Sequence, residues 1–217
     1  MPIALRHRDD PTPSLAPLAG LVVRREHDAD LMAALQGRAV EEMRRRFDAG
    51  HRAYVARRDG EPAAFGWVAT REARIGELGA EIVVPAGDRY LWNFVTLPAH
   101  RGLGVYPRLL DAIVRAESRE AARFWVAWAP ENHASGAGIA RAGFAAVAEL
   151  SFDAGGRAAI APIATDAAAE AARLLALPAA VGLTPCWRCV RAGRGTMHCA
   201  PGRCACDYQR PAHPCAA

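Results

Sequence analysis

The turn Arg101-Gly102-Leu103-Gly104-Val105-Tyr106 combines residues that together can bind a phosphate group. It lies between the apolar run at residues 91–97 and an amphipathic segment that begins at Val105. Two glycines allow a sharp turn, and the unpaired N–H groups at the start of a helix then point into one concavity at the positive end of its dipole. Such a nest binds phosphate or pyrophosphate without a lysine, and Arg101 adds a positive charge at its mouth. An ordinary strand-to-helix turn is the structural alternative.

Two better-known phosphate loops are excluded by the residues of the turn. A P-loop needs four residues between its glycines and then Gly-Lys-Ser/Thr, which is absent here. A dinucleotide-binding fingerprint needs a third glycine, and Pro107 stands in its place. The turn therefore predicts a phosphate nest of another kind.

A second segment, Asn132-His133-Ala134-Ser135, precedes Arg141-Ala142-Gly143-Phe144. Together with R-G-L-G-V-Y after V-T-L-P, it resembles the two motifs of the GNAT acetyltransferase superfamily, Arg/Gln-x-x-Gly-x-Gly/Ala and N-x-x-S … G-F. The resemblance covers about residues 20–152. It implies an α/β (α+β) fold with a central mixed, mostly antiparallel sheet that is flanked by helices and splayed at an acyl-CoA cleft.

The resemblance also implies how coenzyme A, with acetyl-CoA as cosubstrate, would bind. The strand backbone at Phe94, Val95 and Thr96 would pair with the pantetheine amides, and Asn132 would lie beside the same arm. The pyrophosphate would be held by the backbone of Arg101, Gly102, Leu103, Gly104, Val105 and Tyr106. The implied reaction moves an acetyl or other acyl group to a primary amine of a small molecule or peptide, by direct attack of the neutral amine.

Three polar residues near this cleft are candidates for catalysis. Strand alternation places Asn93 on one face with Leu91 and Val95, either as a satisfied buried amide or as a cleft residue that orients the substrate. His133 has an unperturbed pKa suited to a base, and an exposed histidine at a helix entry is the alternative. Ser135 is expected to cap its helix whatever else it does.

Two residues depart from the motifs of the family. Tyr106 stands where relatives carry a small residue, so its side chain either packs at the helix start, away from the diphosphate, or narrows the cleft. Ile139 stands four residues before Gly143, where many relatives carry a tyrosine that can protonate the thiolate. Both departures favour the alternative function, a non-catalytic acyl-CoA-binding protein with a metal-binding or interaction tail.

All six cysteines lie at the C-terminal end, from Cys186 to Cys215. Thiolates in a C-x-x-C pair can close on one ion, and four Cys or His ligands make a tetrahedral zinc site. His198 is a substitute for one of the candidate ligands, Cys186, Cys189, Cys199, Cys204 and Cys206. A structural metal, a disordered and reducible tail, and a disulfide or redox role all stay open.

The composition narrows the class of protein. A hydrophobic fraction of 52% and a charged fraction of 23% are typical of a soluble globular chain, and a net charge of +4 does not demand nucleic acid. No apolar run approaches the roughly 20 residues that span a bilayer, and residues 1–14 lack the apolar core of a signal peptide. We expect a cytoplasmic protein with no membrane or nucleic-acid partner, for which a homodimer is one option.

Periodicity predicts the elements that position these residues. Strands are expected at residues 20–25, 54–56, 64–68, 91–97, 124–128 and 144–152, with an Asp59-Gly60 hairpin turn after the second. Helices are expected at residues 28–35, 38–47, 105–118, 135–142 and 166–177. The expected domains are a flexible leader at 1–19, an acyltransferase domain at 20–160, a helix and linker at 161–183, and the Cys-rich tail at 184–217.

Overall fold

Strands and helices alternate through residues 1–75, 80–152 and 157–179, the part of the chain that a computed structural model describes. The strands are β1 Pro2–His7, β2 Leu21–Glu26, β3 Arg52–Arg58, β4 Glu61–Ala69, β5 Glu72–Ile75, β6 Ala80–Val83, β7 Asp88–Thr96, β8 Arg123–Ala127, β9 Ala145–Phe152 and β10 Ala158–Pro162. The helices are α1 Ala29–Gln36, α2 Val40–Asp48, α3 Val105–Glu117, α4 His133–Arg141 and α5 Thr165–Leu175, with a 3-10 helix at Pro98–His100.

Eight of these strands form one sheet, in the order β10-β9-β1-β8-β7-β4-β3-β2. Every neighbouring pair is antiparallel except β7 and β8, which run parallel. Strands β5 and β6 make a separate hairpin. Helices α1 and α2 pack on one face around Trp67, and α3 packs on the opposite face around Phe124. The mixed, mostly antiparallel sheet with flanking helices confirms the predicted fold class.

The expectation of a flexible leader is wrong for its first residues. Strand β1 lies inside the sheet, where it pairs with β8 on one edge and β9 on the other. Its residue Ile3 is fully buried. The sequence pattern does not indicate this strand, because the polar residues Arg6 and His7 directly follow its short apolar run. Arg6 is nevertheless buried, since it donates a hydrogen bond to Asp111 of α3.

Most helices and turns lie where the periodicity predicted them. In α3 the stripe of apolar residues is buried, and it consists of Val105, Leu109, Leu110, Ile113 and Val114. At the hairpin between β3 and β4, Asp59 and Gly60 both have positive φ, 52° and 90°, as a type I′ turn requires. The sequence reading missed β10 and the β5–β6 hairpin. None of the described helices is long and apolar enough to cross a membrane.

Candidate functional site

The edge of β7 comes free of β8 halfway along the strand. The parallel pairing runs from Asp88 opposite Arg123 to Leu91 opposite Val126 and stops there, although β7 continues to Thr96. The other edge of β7 stays paired with β4 to the end of the strand. Backbone groups of β7 beyond Leu91 are therefore open on one side of a cleft.

A β-bulge at Asn93 explains why the two strands separate. The register between β4 and β7 shifts between Phe65 and Trp67, where β7 carries one residue more than β4. Asn93 adopts the left-handed conformation, with φ at 51°. A bulge of this kind bends the strand and increases its local twist, so the end of β7 turns away from β8. The splayed cleft that the family resemblance implied is present.

The predicted phosphate turn opens into this cleft. Gly104 is the N-cap of α3, has φ at 72°, and no side chain caps the first N–H groups of the helix. Gly102 also has positive φ, at 75°, a conformation that most other residues adopt only with strain. The N-terminal N–H groups and the positive end of the α3 dipole are thus available to an anion.

A cavity of about 550 Å³ joins the turn to the free edge of β7. Most of the predicted cofactor residues line it: Phe94, Val95, Thr96, Arg101, Gly102, Gly104, Val105, Tyr106 and Asn132. Leu103 is the exception, because it is 42% exposed and lies outside the lining. The catalytic candidate Ser135 lines the cavity, whereas His133 is exposed and does not.

Two arginines that line this cavity, Arg101 and Arg141, give it positive charge, and sequence reasoning found only Arg101. Arg101 Nε donates to the Thr96 carbonyl at 3.1 Å, and Arg108 Nη1 donates to the Gly104 carbonyl at 2.7 Å. Arg141, in the last turn of α4, lines the opposite wall. Within the described ranges neither Arg101 nor Arg141 forms a salt bridge, so their charges remain available to an anionic ligand. Arg108 lies outside the lining, because its guanidinium also donates to the Ala16 carbonyl.

Helix α4, which forms this opposite wall, has a different N-cap residue from the one predicted. Asn132 is the N-cap of α4, since its Oδ1 accepts a hydrogen bond from the Ser135 backbone N–H at 3.0 Å. The expectation that Ser135 caps the helix is therefore wrong. Ser135 is the third residue of the helix, and its hydroxyl faces the Tyr106 hydroxyl at 3.4 Å. Asn132 thus fixes the position of a hydroxyl at the cavity wall.

Tyr106 reaches across the cleft from the first turn of α3. Its ring packs against Phe94 with ring centroids 5.5 Å apart, and its Cδ1 lies 2.5 Å from where a Cβ on Gly138 would stand. Only glycine at position 138 leaves room for the ring. Burial raises the pKa of Tyr106 to about 12, so the phenol stays protonated at neutral pH. Ile139, which stands where many relatives carry a tyrosine, is 1% exposed in the core and supplies no proton.

A second, smaller cavity of about 230 Å³ lies on the other face of β7. It is lined by Leu35, Gln36, Arg38, Phe65, Asn93 and Val95. Val95 lines both cavities, so the two adjoin at the end of β7.

The bulge also changes the environment of Asn93. The expectation that Leu91, Asn93 and Val95 share one face is wrong for Leu91, which packs with α3 on the opposite face. Asn93 is exposed, and its Nδ2 donates to Gln36 Oε1 of α1 at 2.8 Å. The extra residue of the bulge breaks the alternation on which the expectation rested. Asn93 is consequently a cleft residue rather than a buried amide.

The carboxylate of Asp88 lies away from the cleft. Asp88, at the far end of β7, is 2% exposed and accepts hydrogen bonds from Arg123 Nε and Trp125 Nε1, each at 2.8 Å. It holds β7 to β8 and does not reach the cleft.

All the candidate metal ligands in the Cys-rich tail lie outside the described residues, and zinc stays a prediction. Among the described residues, no three His, Cys, Asp or Glu side chains are grouped so that they could hold a metal ion.

The chain is similar to known acetyltransferases. A model of the acetyltransferase (GNAT) family matches residues 23–144. Among solved structures, a GCN5-related N-acetyltransferase from Kribbella flavida is 16% identical over 58% of the chain, with a TM-score of 0.41. An acetyltransferase of the GNAT family from Novosphingobium aromaticivorans DSM 12444 is 22% identical over 67%, with a TM-score of 0.46. The aminoglycoside N-acetyltransferase AAC(6')-Iy in complex with CoA is 20% identical over 64%, with a TM-score of 0.48.

These matches cover 46%, 59% and 97% of the three structures, so the chain spans less than two thirds of the first two. No curated protein matches the chain.

Proposed function

This chain belongs to the GNAT acetyltransferase family, and on that premise we propose that it transfers an acyl group, most simply acetyl, from coenzyme A to a primary amine. The observation that carries the proposal is the 550 Å³ cavity between the uncapped start of α3 and the free edge of β7. It offers an anion site and unpaired strand backbone in one continuous space. Coenzyme A needs both, because it has a diphosphate at one end and two amides along its pantetheine arm.

The cofactor is proposed to bind along this cavity from the turn to the bulge. Its diphosphate would accept hydrogen bonds from the backbone N–H groups after Gly104, with Arg101 and Arg141 as counter-charges. Its pantetheine amides would pair with the open edge of β7 at residues 94–96, as an added strand does. This direction delivers the thioester to the point where the two cavities adjoin.

The chemical step is attack of the amine nitrogen on the thioester carbonyl carbon. A C–N bond forms, the C–S bond breaks, and one amine proton must end on the released thiol. Because an ordinary thiol titrates at about 8.5, well below the phenol of Tyr106, that phenol would keep its proton and make only a weak contact with the thiolate. The proton then comes from the amine itself, which becomes acidic once it has attacked.

The three catalytic candidates take different roles in this proposal. Asn93 faces the smaller cavity and would hold the acceptor amine. Ser135 shares a hydrogen bond with Tyr106 in the cofactor cavity and would orient that phenol toward the sulfur. His133 is exposed and lies outside the lining, so it would act as a base only through solvent at the mouth.

A non-catalytic acyl-CoA-binding protein is the second candidate function. The observations that favour it are the ring of Tyr106, which crosses the cleft, and the burial of Ile139 at the position of the usual acid. Such a protein would bind acetyl-CoA in the same cavity without transferring its acyl group.

Calorimetric titration with acetyl-CoA and thiol release in the presence of an amine panel test both candidates. Gly104→Trp should abolish binding, because a side chain at that position meets Arg108 and fills the turn. Gly60→Trp is the matched control, since Gly60 also has positive φ but lies in the remote β3–β4 hairpin. Binding without turnover on any amine supports the non-catalytic protein, and no binding by the unmodified chain overturns both functions.

A further inference from the structure

A chain of hydrogen bonds connects α2 to the bulge of β7 through one glutamine. Arg46 Nη1 donates to Gln36 Oε1 at 3.0 Å, and Asn93 Nδ2 donates to the same oxygen at 2.8 Å. The Gln36 Nε2 group donates in turn to the Met32 carbonyl at 3.0 Å and to the Met43 sulfur at 2.9 Å. Every polar atom of the Gln36 amide is thus engaged.

The chemistry of these groups fixes which way each amide points. A guanidinium can only donate hydrogen bonds, so Gln36 must turn its oxygen toward Arg46. That oxygen also faces Asn93, which must therefore present its NH₂ group to Gln36. The Asn93 carbonyl oxygen is left pointing away from Gln36, and no described residue donates a hydrogen bond to it. Arg46 therefore determines the orientation of Asn93 through Gln36.

Arg46, at one end of this series of hydrogen bonds, is itself held in place. Arg46 Nη2 pairs with Glu42 Oε1 at 2.6 Å on the same helix. The Arg46 guanidinium carbon lies 5.1 Å from the ring centre of Trp67 and 4.7 Å from that of Trp92. Cation–π contacts on two rings restrict the guanidinium further. At the other end, the left-handed backbone of Asn93 within the bulge restricts where its side chain can go.

Asn93 lines the smaller cavity, which adjoins the proposed cofactor cavity at Val95. A neutral primary amine has two N–H groups and one lone pair. One N–H donated to Asn93 Oδ1 holds the nitrogen while its lone pair stays free to attack. Fixing the nitrogen in this way favours reaction by removing its freedom before the chemical step.

The remaining lining indicates what the amine is attached to. Leu35, Phe65 and Val95 are apolar, and Arg38 is the one charged residue among the residues that line this cavity. Arg38 is exposed and, in the described part of the chain, forms no salt bridge. Glu42 of α2 is already paired with Arg46. A polycation would meet no free carboxylate in this lining, whereas an anionic group would meet Arg38.

We propose that Arg46 and Gln36 are positioning residues that present Asn93 Oδ1 to the acceptor nitrogen, and that the acceptor is a monoamine with an apolar body and one carboxylate bound by Arg38. This inference rests on the proposed acyl transfer and names the substrate class of that reaction. It separates this chain from an acetyltransferase that acts on polyamines or aminoglycosides.

Pairs of amines that share one apolar body test the acceptor class. Thiol release is followed with phenylalanine and phenylalaninamide, with leucine and leucinamide, and with spermidine as a polycation. The carboxylates should have a KM lower by about tenfold or more, as expected for a charge-assisted contact. Arg38→Gln should erase that difference without changing kcat. Faster turnover of the amides or of spermidine would overturn the acceptor class and leave acyl transfer intact, whereas no turnover of any amine would overturn both.

Two substitutions at Gln36 test the positioning role. Gln36→Met keeps the size of the side chain and removes its oxygen, so kcat/KM for the amine should fall by about tenfold. Gln36→Glu keeps an oxygen for Arg46 and for Asn93, and should recover most of this loss. The Kd for acetyl-CoA should stay unchanged in both, although the Tm should fall by a few degrees with the lost hydrogen bonds. An equal loss in the two variants, or a parallel loss of acetyl-CoA affinity, would contradict the positioning role.

Discussion

The cavities on the two sides of β7 are lined by different kinds of chemical group. On the cofactor side, the cavity wall consists of backbone groups at the glycine turn, the open strand edge and the start of α3. On the proposed acceptor side it consists of side chains from separate elements. Gln36 of α1 accepts hydrogen bonds from both Arg46 of α2 and Asn93 of β7. A backbone site needs few particular residues and tolerates change around it. A side-chain site depends on each member, which would suit the side that is proposed to bind the amine.

The largest effect is expected for the ion pair that supports the cofactor side. Arg6 Nη1 donates to Asp111 Oδ1 at 3.0 Å and to the Ala142 carbonyl at 2.8 Å, so it joins α3 to the end of α4. Arg6→Met leaves the buried Asp111 with the exposed Arg115 as its one remaining ion-pair partner among the described residues. We expect the free energy of unfolding to fall by about 3 kcal/mol, measured by urea denaturation.

The control for that variant is Arg8→Met. Arg8 forms an exposed pair with Asp9 at 3.5 Å, and its loss should change stability by less than about 1 kcal/mol. Equal, small losses in the two variants would show that the α3–α4 junction does not depend on Arg6.

The second-largest effect is expected when a positive charge is removed from the wall of the proposed cofactor cavity. Arg141→Gln removes a guanidinium that lines the cavity and forms no salt bridge within the described residues. Acetyl-CoA affinity should fall by about tenfold or more, and more at low salt than at high salt, by calorimetry. Arg119→Gln, an exposed arginine just beyond α3, should have no such effect. A loss of turnover without a loss of acetyl-CoA affinity would move Arg141 to the acceptor side.

Asn93→Gly tests the proposed acceptor side of β7. Glycine keeps the left-handed backbone at φ 51° and removes the amide. We expect kcat/KM for the amine to fall by about tenfold while the Kd for acetyl-CoA stays the same. Asp59→Gly, which has φ at 52° in the distant hairpin, is the matched control for the backbone change. Weaker acetyl-CoA binding in Asn93→Gly alone would show that the two sides are not separate.

A smaller effect is expected at Tyr106. Its hydroxyl makes one long contact, 3.4 Å to Ser135 Oγ, and most of its packing comes from the ring. Tyr106→Phe should therefore change acetyl-CoA affinity and kcat by no more than about threefold. A fall of kcat beyond tenfold, with affinity intact, would mean that the phenol supplies the proton to the thiolate.

The last effect is a pH dependence of stability on the proposed acceptor side. Burial, together with the charges of Arg46 and Arg71, lowers the pKa of His51 to about 4. The unfolded chain therefore binds more protons than the folded chain between about pH 4 and 6.5, and stability falls as the pH drops through that window. His51→Phe should flatten this part of the curve of unfolding free energy against pH. An unchanged curve would show that His51 does not titrate in this way.

The same contrast explains which features the sequence could predict. The glycine turn, the stripe of α3 and the Asp59-Gly60 hairpin are local patterns, so their residues alone predicted their structure. Asn93 was placed on the wrong row because a bulge, which depends on the register with β4, is invisible in strand alternation. Gln36 gave no signal, since its role comes from Arg46 and Asn93, which are distant in sequence.

The errors at the N-terminus and at α4 have the same origin. Strand β1 looked like a leader because its arginine is charged, and only the partner Asp111 in a remote helix makes burial favourable. The cap of α4 was assigned to Ser135, although Asn132, three residues earlier, is an equally good capping residue. A choice between two capping residues three positions apart rests on a local conformation that residue types do not specify.

The most direct test of the central claim measures both products of one reaction mixture. The protein is incubated with acetyl-CoA and an amine, the free thiol is titrated, and the acetylated amine is quantified by mass spectrometry. The account predicts one acetylated amine for each thiol released, with both lost in Gly104→Trp. Acetyl-CoA binding without any acetylated amine, or thiol release that does not depend on the amine, would contradict it.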